Sequence, residues 1–372
     1  MKVGVPRETK ADEYRISMTP AGVRELTERG HEVHVETEAG VASGFSDDQY
    51  KAQGAKIEPD APAVFAAAEM IVKVKEPLDF EVTRLRAGQI LFTYLHLAPA
   101  PELTRGLCAS GATCIAYETV EDARGRLPLL APMSEIAGRL ATQAGAFMLE
   151  KPLGGRGVLL GGVPGVAAAN VMIIGGGSVG QHAAAVAIGM GADVFIFDLS
   201  IDRLRELEVA LGGRCSTVFS STLAIEEMLP RVDLVIGAVL VVGERAPYVI
   251  RRSQLKMMRP GTVLVDVAID QGGCFETSRP TTHHAPTFEV DGITHYCVTN
   301  MPGAVPVTST HALSNATLPY VLALADKGVR AAIADDPGLR LGVNVAGGVA
   351  TLPAVARSIG RETVTPEKAL AA

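Results

Sequence analysis

Tryptophan is absent from this 372-residue chain, and seven tyrosines and ten phenylalanines are its only aromatic side chains besides histidine. With hydrophobic residues at 48% and 39 glycines, the interior has to be aliphatic and closely packed, which suits parallel sheets covered by helices. A basic run is missing too. The balance of 34 Lys and Arg against 41 Asp and Glu leaves a net charge of −7, which argues against nucleic acid as a partner. Cys108, Cys114, Cys215, Cys274 and Cys297 are odd in number, scattered and never spaced C-x-x-C. Reduced, mostly buried thiols in a cytoplasmic protein are expected, rather than a disulfide framework or a thiolate metal site. Long apolar runs are lacking as well. The least polar stretch, 157–180, is broken by Pro164, Asn170 and several glycines, and reads as loop plus core strand instead of a membrane span. A strand pattern begins at Lys2, which leaves no space for a signal peptide. No repeat or low-complexity block interrupts a length that suits two domains.

The most informative segment that is present runs from 158 to 198. Val171 to Ile174 lead straight into a glycine turn, Gly175, Gly177 and Gly180 at the spacing G-x-G-x-x-G, and then into a small-residue helix from Val179 to Gly189. A second apolar run, 193–198, ends at Asp198. Buried strand, glycine turn, helix N-terminus and an acid about 20 residues on form the arrangement that holds a dinucleotide. Gly175 permits the tight turn, Gly177 lets the backbone approach the phosphates, and Gly180 lets helix and strand pack closely. The helix presents free N–H groups and its positive dipole end to the pyrophosphate. The Asp198 carboxylate would accept from ribose hydroxyls and repel a 2′-phosphate, which favours NAD over NADP.

Strands and helices alternate on either side of this segment. Strands are expected over 2–5, 31–36, 70–74, 89–92 and 112–116, with amphipathic stretches at 79–86 and 101–110 and a helix starting at Thr19-Pro20, an N-cap followed by proline. That rhythm implies a parallel, doubly wound sheet. The helical periodicity of 134–151, with Ser134 as its cap, marks a crossing into a second sheet of strands near 171–174, 192–197, 214–219, 232–236 and 262–265. A helical run at 308–326 has no sheet of its own and returns to the first domain.

Several side chains at strand ends could carry chemistry. Arg15 falls on the loop after the first strand, where a guanidinium could grip a carboxylate in bidentate fashion; position alone fits a solvated loop arginine equally well. Lys73 and Lys75 alternate along a strand and share a face. Lys75, at the carboxyl end, needs a reason such as a substrate oxygen, whereas Lys73 reads as a partly solvated edge lysine. His96 lies just past a strand with Tyr94 on the same face, open to general acid–base work or to a core hydrogen bond. Asp270 follows a strand and precedes a glycine turn, and reads as a cleft acid or a solvated one; Asp266, inside that strand, reads as structural. His283 and His284 on a strand would point to opposite faces, and no carboxylate is suitably spaced from them or from His295, so no metal is assigned.

Taken together, these motifs resemble the alanine dehydrogenase and pyridine nucleotide transhydrogenase family over essentially the whole chain. The resemblance rests on segments 5–10 and 13–20, 73–77, 94–96, 132–135, 161–165, the Gly175 turn, 266–273 and 300–303, which come in the family's order and spacing. It implies an α/β protein of two doubly wound, Rossmann-like domains with a cleft between them: a discontinuous substrate domain, 1–128 and 307–372, and an NAD-binding domain, 129–306. It further implies reversible, NAD-dependent oxidative deamination of L-alanine to pyruvate and ammonium by a cytoplasmic homo-oligomer, usually a hexamer. On this basis Arg15 resembles the substrate carboxylate ligand, Lys75 the group that bonds the substrate carbonyl or imine, and His96 with Asp270 the acid–base pair. The family's NAD contacts fall on Ser134, Ser178, Asp198, Arg203, Ser220, Val239, Leu240, Val267, Ala268, Ile269, Asp270, Arg279, Val298, Thr299, Asn300 and Met301. Ser178 can contribute only its backbone, since that position varies in such turns. Some relatives bind a cation on the late helix, where this chain has Ala323 and Lys327. Three alternatives stay open: a transhydrogenase nucleotide-binding subunit, a saccharopine dehydrogenase-like enzyme with similar imine chemistry, and a non-catalytic NAD sensor. His96 and an end at Ala372 favour the dehydrogenase over the first.

Overall fold

The structure, a computed structural model, describes residues 1–239 and 247–371. The chain divides into two compact units, Met1–Met133 with Val305–Ala372, and Ser134–Ala304.

In the first unit, short and mostly buried segments form strands β1 (Lys2–Val5), β2 (Glu32–Glu36), β4 (Met70–Val72), β5 (Ile90–Thr93) and β6 (Thr113–Ala116), with β3 (Lys56–Glu58) a more exposed strand at the sheet border. They pair in parallel in the order β6-β5-β4-β1-β2-β3. Helices connect them. The first, Pro20–Glu28, starts as the sequence predicts, with the Thr19 hydroxyl accepting from Gly22 N at 3.3 Å and proline in the first turn.

The second unit repeats the scheme with β7 (Asn170–Ile174), β8 (Asp193–Asp198), β9 (Ser216–Phe219), β10 (Leu234–Gly237), β11 (Val263–Asp266), β12 (Thr287–Val290) and β13 (Ile293–Tyr296). Its order, β12-β13-β11-β10-β7-β8-β9, reverses direction at β7. Apolar side chains of β7, β10 and β11 fill clusters on both faces of this sheet, which is why their sequences are unbroken aliphatic runs.

Neither sheet is purely parallel, contrary to the sequence expectation for the first. The return to the first unit, after the long helix Pro306–Asp335, adds β14 (Val343–Ala346) antiparallel to β6, and β15 (Val349–Ala350) antiparallel to β14. In the second unit β12 runs antiparallel to β13. β14 and β15, like β12 and β13, are joined by turns too short for a helical crossover, so only antiparallel pairing is open to those two pairs.

The helix expected over 134–151 spans Ala131–Met148 instead. Ser134 is therefore not its cap but a first-turn residue. Pro132 explains the shift, because a proline lacks only an N–H that the first turn leaves unpaired anyway. Further along, this helix lies against the backbone of the helix Ser178–Gly189: the Thr142 hydroxyl donates to the Ala183 carbonyl at 2.8 Å, and a Cβ on Gly138 would stand 2.2 Å from the Val179 carbonyl oxygen. Gly138→Ala should accordingly lower unfolding stability by about 1–3 kcal/mol, read as a fall in the urea midpoint. Gly189→Ala, where a Cβ meets nothing within 4 Å, should leave it unchanged or slightly raised. Equal effects of the two would contradict this packing.

Candidate active site

In the first unit, the loops after β1, β4, β5 and β6 leave one edge of the sheet side by side, because all four strands run the same way. Arg15 comes from the first of them. It is 3% exposed, which rules out the solvated reading; its Nε and Nη2 donate to the two Glu13 oxygens at 2.7 and 2.5 Å, and its Nη1 lies 2.9 Å from Met133 Sδ. Burial pushes the Glu13 carboxyl up, but the hydrogen bonds and charge of Arg15, with a smaller pull from Lys75, hold it below the usual range. The loop is pinned from two sides: Ile16 N donates to Thr310 Oγ1 on the long helix, and Ser17 Oγ to the Val72 carbonyl at the end of β4.

The lysine pair departs from the sequence reading. β4 ends at Val72, so neither lysine is in the strand, and Lys73 is fully buried rather than partly solvated. Its ammonium lies 3.3 Å from Glu8 Oε2 and 2.9 Å from Glu81 Oε1. Burial raises the Glu8 carboxyl although Lys73 opposes it. Glu8 also accepts from the main-chain N–H groups of Val74 and Lys75, at 2.7 and 3.3 Å. Lys75 is partly buried, with its carbonyl accepting from Thr93 Oγ1 at 2.9 Å.

His96 extends from the third loop with its side chain 50% exposed. Its ring stacks on Tyr94 with centroids 6.0 Å apart and planes 7° off parallel. The Tyr94 hydroxyl donates to the Leu129 carbonyl at 2.6 Å, and burial pushes that phenol well above its ordinary value, so Tyr94 is a donor and not a base. The fourth loop supplies Glu118, whose carboxylate accepts from the N–H groups of Leu95 and His96. Glu8, Glu13 and Glu118 are absent from the set of sequence candidates. Their signal is faint: each sits within a few residues of the end of a parallel strand or of the arginine it grips, but so do many loop carboxylates.

In the second unit, the glycine turn follows β7 and the helix Ser178–Gly189 has Gly177 as an N-cap without a side-chain partner. Gly175 has a φ of 105°, and a Cβ on Gly180 would stand 1.9 Å from the Gly175 carbonyl oxygen. A Cβ on Gly177, by contrast, would meet nothing within 4 Å. Nothing among the described residues demands glycine there, and the open space suits close approach of a ligand. Asp198 ends β8; its Oδ2 accepts from Gly176 N at 2.7 Å and its Oδ1 from Ser200 N at 2.8 Å. Arg203 holds the other side of the turn, with Nε on the Gly176 carbonyl at 2.7 Å and Nη2 on Gln181 Oε1 at 2.6 Å.

Ser220, Val239, Val267 to Asp270, and Val298 to Met301 follow β9, β10, β11 and β13 and so fall on the same carboxyl edge as the glycine turn. Leu240 lies outside the described residues. Ser134 is one helical turn before Gly138, on the face that meets Val179. Asn300 has a φ of 55°, and its carbonyl is 3.3 Å from His283 Nε2. Asp270 is exposed in a short 3₁₀ turn, Ile269–Gln271. Arg279 is at the far side, stacked at 4.3 Å on Phe288 of the edge strand β12. Asp266 is fully buried and accepts from Ala268 N, Cys274 N, Phe275 N and Ser278 Oγ, a structural latch that shapes the loop carrying 267–270. His283 and His284 are in a bend, not the strand expected of them. The late helix places Lys327 in an ion pair with Asp335 at 2.7 Å.

Comparison with known proteins covers nearly all of the chain. Residues 4–137 match the family described as alanine dehydrogenase/PNT, N-terminal domain, and residues 141–353 its C-terminal domain. An alanine dehydrogenase of Halomonas elongata is 58% identical over 98% of both chains. A solved L-alanine dehydrogenase superposes with a TM-score of 0.94 at 51% identity, covering 97% of this chain and 99% of that one. A transhydrogenase from Sinorhizobium meliloti superposes with a TM-score of 0.81 at 23% identity, covering 95% of this chain and all of that one, a likeness of fold alone. The two carboxyl-edge arrangements and this full-length similarity converge, and the chain belongs to the alanine dehydrogenase/PNT family.

Proposed function

We propose that the protein catalyses the reversible, NAD-dependent oxidative deamination of L-alanine to pyruvate and ammonium. The observation that supports this reading is that the loops carrying Arg15, Lys75 and His96 leave one edge of the first unit's sheet on neighbouring strands, so that a guanidinium, an ammonium and an imidazole are offered from the same side. Those are the groups needed to hold an α-carboxylate, to stabilise an oxygen and to move a proton.

The glycine turn and Asp198 fit a pyridine nucleotide. The uncapped helix N-terminus would hold the pyrophosphate, the open space beside Gly177 would admit it, and Asp198 would accept from the ribose hydroxyls while repelling a 2′-phosphate. When bound, the nicotinamide supplies the acceptor for a hydride from the alanine Cα. The remaining steps belong to side chains. Arg15, aimed by Glu13, fixes the substrate carboxylate and with it the direction of the Cα hydrogen. Loss of hydride leaves an iminium, which a water molecule attacks at carbon while giving up a proton. His96 takes that proton and returns it to the nitrogen, and the C–N bond breaks to release ammonia as the carbinolamine hydroxyl gives its own proton to Asp270, the other member of the acid–base pair, and becomes the pyruvate carbonyl. Lys75 balances the charge that develops on the carbinolamine oxygen. Assembly as a homo-oligomer, a hexamer by resemblance, and a cytoplasmic location complete the reading.

Purified protein should oxidise NADH only when pyruvate and ammonium are both present, with NADPH a much poorer donor; oxidation by pyruvate alone, or equal use of NADPH, would contradict it. His96→Gln should lower kcat about 10²–10⁴-fold while NADH fluorescence titration stays unchanged. Asp198→Ala should weaken NADH binding by about 10- to 100-fold and narrow the preference over NADPH, because it removes both the ribose acceptor and a tie to Gly176.

A further inference from the structure

Among the described residues His96 is one of five non-glycine residues with a positive φ, at 48°. An L side chain rarely adopts that conformation, and it persists only where neighbouring groups over-determine it. Glu118 supplies the constraint. Its Oε2 accepts from Leu95 N at 3.2 Å and its Oε1 from His96 N at 2.6 Å, so one carboxylate grips two successive amides. The same Oε1 stands 4.0 Å from His96 Nδ1. The reach across 22 residues is built by the sheet, since β5 and β6 end in register, Thr93 opposite Ala116, and release 94–96 and 117–118 as neighbours. The Glu118 side chain is 13% exposed while that of His96 is 50% exposed, so the carboxylate is screened by protein and the ring is presented to its surroundings. Tyr94, anchored through its hydroxyl, stacks on one face of the ring.

We propose that Glu118 is a positioning residue for the reaction: it locks the Leu95–His96 backbone in its left-handed form and occupies the Nδ1 edge of the ring, leaving Nε2 to exchange the proton. The inference rests on the reading of His96 as proton mover. Glu118 itself touches neither substrate nor cofactor in this role. Without it the dipeptide relaxes, and the imidazole no longer meets the reacting water at the right distance.

The test is steady-state kinetics of NADH oxidation with pyruvate and ammonium on Glu118→Gln, Glu118→Asp, His96→Gln and the Glu118→Gln/His96→Gln double variant. Glu118→Gln should lose roughly ten- to a hundredfold in kcat, with KM for pyruvate and the Kd of NADH within twofold of the parent. Its solvent deuterium isotope effect should rise, because proton transfer becomes slower, and Glu118→Asp should recover part of the loss. The double variant should be no worse than His96→Gln alone, since both changes disable one unit. Parent-like kcat in Glu118→Gln beside an inactive His96→Gln would overturn the proposal and leave the function standing. Additive losses, an unchanged isotope effect, or loss of folding or NADH binding in both Glu118 variants would also overturn it, by giving Glu118 another role. Full turnover by His96→Gln would remove the acid–base reading itself, and the proposal with it.

Discussion

In a parallel β-ladder every strand is re-entered from the same end, so the loops that follow neighbouring strands all emerge at one edge of the sheet. Residues 15, 75, 96 and 118 are remote from one another in sequence and have no local reason to meet. The registers Val3 with Met70, Met70 with Ile90, and Ile90 with Thr113 set the loops that carry them side by side. The second sheet applies the same constraint to the glycine turn, Asp198, Ser220, Val239 and the segments after β11 and β13. The antiparallel strands β12, β14 and β15 are added at sheet borders, where they cover an open edge without disturbing the direction of the central ladder.

Rigidity at the first edge comes from charges placed where water does not reach them. Taking an ion out of water costs several kcal/mol, which only close pairing and further hydrogen bonds offset. Lys73 meets that requirement with Glu8 on one side and Glu81 on the other, and Arg15 meets it with Glu13. The carboxylates then act on the main chain: Glu8 grips the amides of Val74 and Lys75, Glu81 accepts from Leu78 N, Glu13 from Arg15 N, and Glu118 from Leu95 and His96. Arg15, Lys75 and His96 thus each donate a main-chain N–H to a carboxylate, an arrangement that limits the motion available to the loops.

What the sequence makes readable follows from how local each signal is. The glycine turn, its helix and the acid at the end of β8 lie within about two dozen residues and obey rules of backbone sterics and spacing, so they can be read without knowing the sheet order. Lys73 and Lys75 show the opposite. Alternation along an apolar run suggested one shared strand face, but the strand stops at Val72, and whether a lysine past that point is solvated depends on Glu8 and Glu81 from other segments. Ser134 resembled a cap because it precedes a periodic run, yet Pro132 tolerates a helix start three residues earlier. Glu118 carries only a faint signal, since its partner is set by the β5–β6 register and not by a rule of spacing along the chain.

The same economy governs the nucleotide turn. An ionised carboxylate offers about four lone-pair sites, and Asp198 spends one on Gly176 N and one on Ser200 N. Capacity therefore remains for two ribose hydroxyls without breaking either backbone bond. Arg203 takes the carbonyl of the same Gly176 and reaches Gln181 on the following helix, so the peptide next to the open face of Gly177 is fixed from both ends before a ligand arrives. A turn held this way pays little ordering entropy on binding, and the affinity that its few N–H groups provide is not spent on arranging them.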